Sequence, residues 1–280
     1  MLSQIWKSCH ASVCQLNFLN ERGVSIDSLT GFKVKNFLVT SQHAFCIEKA
    51  HKVEITFVDA DANTVTASMK IPYTEFTKEL RIGVLHNCGH YAIFNIDLPE
   101  FASIPSLTLS QQRNFTIGSS VAALVYNSGY SNLTLRSGII SSMYSNNDGV
   151  RMFQFDGQVG YGNSGGPLID PNTMQVIGII SRRCTPASKA YNQLKEIASN
   201  NLAELRKVET IVRFGDIDPM QVLIANQNQL LHLANIIYKH TSTNISQAVM
   251  LDGILSFFDQ DSVVYAEKRT KESKKTYYNG

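Results

Sequence analysis

One serine in this chain stands in a setting that suits nucleophilic chemistry. Gly162-Asn163-Ser164-Gly165-Gly166-Pro167-Leu168 surrounds it with glycine and ends in proline. Neither a helix nor a strand interior favours that composition, because glycine costs backbone entropy in both and proline removes a donor. The stretch is therefore expected to be a tight turn where backbone passes close to another group. On such a turn the Ser164 hydroxyl is exposed, and nearby N–H groups are free to face a ligand. A nucleophile and an oxyanion hole are two parts of an acyl-transfer site. The third part is a base. Of the seven histidines, His43 has the most telling context. Phe37-Leu38-Val39 ends an apolar strand, Thr40-Ser41-Gln42 follows, and the imidazole comes next. That spacing places a titratable group at the end of a rigid element, where a general base belongs.

The elements that must position these residues are short. Ser12–Leu19, Gly31–Thr40, Val53–Val58, Val65–Met69, Tyr91–Ile96, Val121–Tyr126, Leu133–Ser141, Met152–Phe155 and Val176–Ser181 read as strands. Turn formers separate them, as in Asn20-Glu21-Arg22-Gly23, Asp59-Ala60-Asp61, Asn127-Ser128-Gly129 and Asn146-Asn147-Asp148-Gly149. No long amphipathic helix interrupts the series before Ala187, so an antiparallel barrel or sandwich is expected rather than a parallel α/β sheet. After Ala187 the period changes. Tyr191, Leu194, Ala198, Leu202 and Leu205 recur at helical spacing. Asp218-Pro219 reads as an N-cap followed by proline at the first helical position. Met220–Tyr238 carries Leu223, Leu230, Leu233 and Ile237 in a second helical pattern, and Ile245–Phe258 reads as a third helix. The expected organisation is a β region over 10–186, an α-helical extension over 187–262 and a polar, basic tail over 263–280.

The serine turn resembles the active-site motif of trypsin-like (chymotrypsin-fold) serine proteases, and its asparagine is similar to that of the bacterial HtrA-type branch. Leu38-Val39-Thr40-Ser41-Gln42-His43 resembles the family's histidine motif, preceded by Thr30-Gly31-Phe32. Ser137-Gly138-Ile139-Ile140-Ser141 and Val176-Ile177-Gly178-Ile179-Ile180-Ser181 are similar to two strands of the second barrel. The resemblance spans roughly Ser12 to Arg183, with histidine before serine as in the family. It implies two six-stranded antiparallel β-barrels of the chymotrypsin type, a mainly β fold, with the helices added C-terminally. It also implies a serine endopeptidase with Ser164 as nucleophile, His43 as base and the Gly162 and Ser164 N–H groups as oxyanion hole. Gln158 would lie at the base of the first specificity pocket, where a neutral amide argues against arginine or lysine, and Ser181 would begin a pocket wall. Asn163 stands where activated trypsins carry an aspartate paired with a new N-terminus, so cleavage-driven activation is not expected.

One departure is serious. The family's aspartate opens the strand that corresponds to His90-Tyr91-Ala92-Ile93-Phe94-Asn95-Ile96, so its place falls on His90. A histidine can fix the tautomer of the base but brings no negative charge to stabilise the imidazolium. Three readings stand: His90 is a working third member, as in herpesvirus-type proteases; another acid, Asp97 or Asp59, takes the role; or the chain is a weak or inactive pseudoprotease used for binding. A smaller alternative is an esterase of the α/β-hydrolase type, since Gly162–Gly166 also fits Gly-x-Ser-x-Gly. That fold needs a helix directly after the serine, which Gly165-Gly166-Pro167 would break.

The 280 residues, with 44% apolar and 17% charged side chains, fit an ordinary globular chain. A net charge of +2 gives no argument for nucleic acid. No stretch reaches the length of a membrane span, and Met1–Gln15 lacks the apolar run of a signal peptide, so a cytoplasmic location is expected. The five cysteines show no metal-ligand spacing. Cys46 is expected to be a buried thiol, and Cys88, near the proposed site, is not expected to be the nucleophile. No metal or organic cofactor is implied. The expected partner is a protein or peptide substrate; the apolar C-terminal helices are expected to pack on the barrel or on each other, with a protein partner as the alternative.

Overall fold

The structure, a computed structural model, describes residues 1–82, 91–183, 188–207, 215, 218–240 and 245–259. A short helix, α1 (Leu2–Cys9), opens the chain and leads into β1 (Val13–Leu19). β2 (Ser25–Val34) and β3 (Phe37–Ser41) form a hairpin closed by Lys35-Asn36, with Val34 opposite Phe37. The expected single strand Gly31–Thr40 is thus two, since this polar pair between apolar runs turns the chain, Lys35 taking φ +54. β4 (Lys52–Val58), β5 (Val65–Pro72), the short helix α2 (Tyr73–Lys78), β6 (Leu80–Ile82) and β7 (Tyr91–Asn95) complete the first half. Its seven strands pair in the order β5-β4-β1-β2-β3-β7-β6. Met69 on β5 and Leu80 on β6, the two edges, pack against one cluster built on Leu16, Phe18, Leu38, Ile55, Phe57 and Phe94. The sheet therefore wraps around its core. Each such fully buried side chain contributes about 1.5–3 kcal/mol.

The second half holds β8 (Ser120–Tyr126), β9 (Leu133–Ser145), β10 (Arg151–Asp156), β11 (Pro167–Ile169), β12 (Val176–Arg183) and β13 (Ile245–Met250). These six close into a barrel in the order β10-β13-β12-β11-β8-β9. A further buried cluster joins the halves, bringing Phe32, Val39 and Ile93 together with Leu124, Tyr126, Ile169 and Ile179.

β13 corrects the expectation of a helix over Ile245–Phe258. Ile245–Met250 is a strand whose Ala248 and Val249 lie opposite Phe153 and Met152 of β10. A short apolar run of this kind fits either period, and the free edge of β10 decides it. Residues 252–259 then form a helix whose Ile254, Leu255 and Phe258 are buried. The expected extension over 187–262 accordingly gives its last part back to the barrel. Residues 183–244 form a compact unit of their own, inserted between β12 and β13. Within it α3 (Ser188–Leu205) pairs with α4 (Pro219–His240), with Tyr191 stacked on Tyr238 at 4.2 Å. The Asp218 carboxylate accepts from the Met220 N–H at 2.9 Å, as an N-cap should. Among the described residues no helix is long and apolar enough to cross a membrane.

Candidate active site

The serine turn follows from two glycines that no other residue could replace. Gly162 and Gly165 take φ +88 and +89, a region that side chains disfavour. A Cβ on Gly162 would lie 2.5 Å from the Ser128 nitrogen, and one on Gly165 would lie 2.2 Å from the Thr30 carbonyl oxygen. Between them Asn163 is fully buried. Its amide donates to the Tyr126 carbonyl at 2.6 Å and to Asn127 Oδ1 at 3.1 Å, and its own oxygen accepts from the Gly160 N–H at 2.7 Å. The turn is also tied to β12: Gly165 N–H donates to the Ile180 carbonyl at 2.7 Å, and Ile180 N–H returns to the Gly166 carbonyl at 2.9 Å. Among the described residues, the N–H groups of Gly162 and Ser164 donate to nothing. Two unspent donors on one turn beside a serine are what an oxyanion needs.

His43 sits in a short 3-10 turn, Gln42–Phe45, that continues from the end of β3. Ser41 caps this turn: its hydroxyl accepts from the His43 N–H at 3.4 Å and lies 3.3 Å from His43 Nδ1. The imidazole is exposed and Ser41 is buried. The two motifs meet through Gly165, whose Cβ position lies 2.4 Å from Thr40 Oγ1 and 2.5 Å from the Ser41 nitrogen. The residue after Ser164 thus rests on the two residues that precede the Gln42-His43 pair.

The remaining expected residues are spread unevenly. His90 lies outside the described residues, as do Cys88 and Cys184. β7 sets Tyr91, the next residue, opposite Ser41, and Asn95 opposite Phe37. Asp97 therefore lies past the far end of β7, whose Asn95 is already about 13 Å of strand from Tyr91. It is exposed there, and its charge acts on the Lys33 ammonium. Asp59 lies beside His10, with the two side chains 3.9 Å apart. The structure does not bring either carboxylate to His43. Gln158 is exposed. Ser181 is buried, directly after Ile180, and its hydroxyl has no hydrogen-bond partner among the described residues. Cys46 is exposed rather than buried, because it ends the 3-10 turn at the surface. Sequence reasoning missed Thr30, Thr40 and Asn127. Their role is to hold backbone, and no period or spacing signals that.

The family profile described as a trypsin-like peptidase domain matches residues 23–179. That span holds both the His43 turn and the Ser164 turn. The chain belongs to the trypsin-like peptidase family. Among solved structures, this trypsin-like peptidase is similar to the HtrA-type protease AlgW with tripeptide, at TM-score 0.59 and 16% identity. That match covers 93% of this chain and 63% of AlgW, so the chain spans less than two thirds of that protein. Deg5 matches at TM-score 0.48 and 19% identity, covering 64% of this chain and 83% of that one. The active form of the Rv3671c protease from M. tuberculosis matches at TM-score 0.48 and 20% identity, over 64% and 74% of the two chains. A comparison with curated protein sequences finds no match. The AlgW likeness is one of fold: a mainly β, chymotrypsin-type architecture.

In this peptidase the turn is held by neutral groups around Asn163 rather than by an ion pair. Asn163→Ala removes three hydrogen bonds from a buried site, and each is worth about 1 kcal/mol. We expect thermal unfolding to show a loss of about 2–4 kcal/mol.

Proposed function

We propose that the chain is a serine endopeptidase that cleaves peptide bonds through an acyl-enzyme on Ser164, with His43 as general base. The observation that carries this reading is the seat of Gly165 on Thr40 and Ser41, which joins the serine turn to the end of the histidine strand. In the reaction, His43 takes the Ser164 proton as the hydroxyl attacks the scissile carbonyl. The carbonyl oxygen, now negative, accepts from the Gly162 and Ser164 N–H groups. The imidazolium then gives its proton to the leaving amine, and water repeats the cycle on the ester. Gln158 and Ser181 are assigned to the substrate pocket, whose neutral groups suit an uncharged side chain. The all-neutral bonding of Asn163 supports a turn that is ready without release of a new N-terminus.

His90 is the proposed third member. It directly precedes Tyr91, the residue opposite Ser41, whereas Asp97 and Asp59 lie elsewhere. A neutral partner leaves the imidazolium less stabilised than a carboxylate would, so the enzyme is expected to be slow. The second reading, a pseudoprotease that binds without cutting, rests on that same residue.

Incubation with unfolded casein, followed by mass spectrometry of the fragments, tests the function. The wild type should generate new termini that Ser164→Ala does not. His90→Ala should slow cleavage by about 10²–10⁴-fold, and His90→Asp should match or exceed the wild type. Equal cleavage by wild type and Ser164→Ala would sink the proposal. Cleavage that Ser164→Ala abolishes but His90→Ala leaves untouched would remove His90 alone.

A further inference from the structure

The geometry points to Thr30 as a positioning residue that locks the nucleophile turn to the strand bearing the base. This rests on the reading of Ser164 and His43 above. Thr30 is fully buried in β2, beyond the place where β3 can pair with it. It makes four hydrogen bonds through its N–H, hydroxyl and carbonyl, three of them to the second half of the molecule. Its N–H donates to the Ser164 carbonyl at 3.0 Å. Its hydroxyl donates to the Gly162 carbonyl at 2.7 Å and accepts from the Tyr126 N–H at 2.9 Å. Its carbonyl accepts from the Thr40 hydroxyl at 2.7 Å, which reaches over from β3 two residues before the His43 turn.

The two carbonyls it holds flank the Asn163–Ser164 peptide on either side. That peptide carries the Ser164 N–H, one of the two unspent donors. The plane itself is held by the Gly166 N–H, which donates to the Asn163 carbonyl at 3.1 Å, and the Thr30 bonds anchor the peptides on either side of it. One threonine thus anchors both ends of the donor peptide while its carbonyl takes the hydroxyl that steadies the histidine strand. A fully satisfied buried network of this kind stiffens its surroundings, and losing one member leaves others buried and unpaired. Without the Thr30 hydroxyl, the Gly162 carbonyl and the Tyr126 N–H both lose their partner. A nucleophile displaced by about 1 Å can lose about 10²-fold in rate.

The test compares Thr30→Val, which keeps the shape and removes the hydroxyl, with Thr30→Ser, which keeps the hydroxyl. The intact chain is treated with a fluorophosphonate probe, and amide hydrogen exchange is followed by mass spectrometry. Thr30→Val should lower the maximal labelling rate by about 10–100-fold with the probe's half-saturation constant unchanged, and Thr30→Ser should recover it to within about threefold. Exchange at the Gly165 and Gly166 N–H groups should accelerate in Thr30→Val and not across β4 and β5. The proposal is overturned if Thr30→Val labels like the wild type, if Thr30→Ser is as damaged as Thr30→Val, or if exchange rises everywhere or nowhere. Faster exchange at the turn in a chain that never labels supports the clamp and defeats the catalytic reading instead.

Discussion

Gly165→Ala should abolish catalysis and cost about 3–5 kcal/mol of stability, one of the largest effects available to a single methyl group in this chain. Two penalties add. The backbone sits at φ +89, where a side chain is strained. The new Cβ would also lie 2.2 Å from the Thr30 oxygen and 2.5 Å from the Ser41 nitrogen. Both are backbone atoms of paired strands, since Gly31 faces Thr40 across the β2–β3 hairpin. They cannot swing aside as the tip of a flexible side chain could. The turn must back away, and Ser164 goes with it. The control is built into the chain. Gly23 and Gly129 also have positive φ, +75 and +84, but a Cβ there would meet nothing within 4 Å. Gly23→Ala and Gly129→Ala should cost only backbone strain, about 1 kcal/mol each. Thermal unfolding of the three variants separates crowding from strain. Equal losses in all three would show that the Gly165 contact carries nothing.

His43→Ala should remove nearly all activity and almost no stability. The imidazole is exposed, and the ring contact the structure gives it is the Ser41 hydroxyl at 3.3 Å. Little packing is lost with it, so the unfolding temperature should stay within about 2 °C of the wild type. Catalysis should fall by about 10⁴–10⁶-fold in kcat/KM, because an alcohol without a base is a poor nucleophile. The residues act as a unit, so combining His43→Ala with Ser164→Ala should cost no more than the worse single change. An additive double variant would mean that the two side chains serve separate purposes. A fall in stability equal to the fall in activity would mean that His43 is structural.

Much of this was legible from residue types alone, and the reasons are local. Gly162–Gly166 announces a turn because no regular element tolerates it, and Pro167, which also reads as turn, opens β11 instead. Val121–Tyr126 and Val53–Val58 announce strands because their apolar runs are short and end in turn formers. β13 was not legible. Ile245–Met250 is short and apolar, and only the open edge of β10, remote in sequence, makes it a strand. Thr30 was equally hidden. Its identity beside Gly31 says nothing about four hydrogen bonds that reach residues 40, 126, 162 and 164. The fate of the acid was half legible. By the family resemblance the aspartate's place falls on His90; the strand geometry adds that Asp97 lies past the end of β7 remote from Ser41.

The central claim is that Ser164 is a nucleophile activated by His43. The most direct measurement is covalent labelling of the wild-type chain by a fluorophosphonate, with the modified residue located by peptide mass spectrometry. The account predicts one adduct, on Ser164, that forms on the wild type and is lost in His43→Ala and after denaturation. No adduct under conditions that label a control protease, or an adduct that forms equally well without His43, would contradict it.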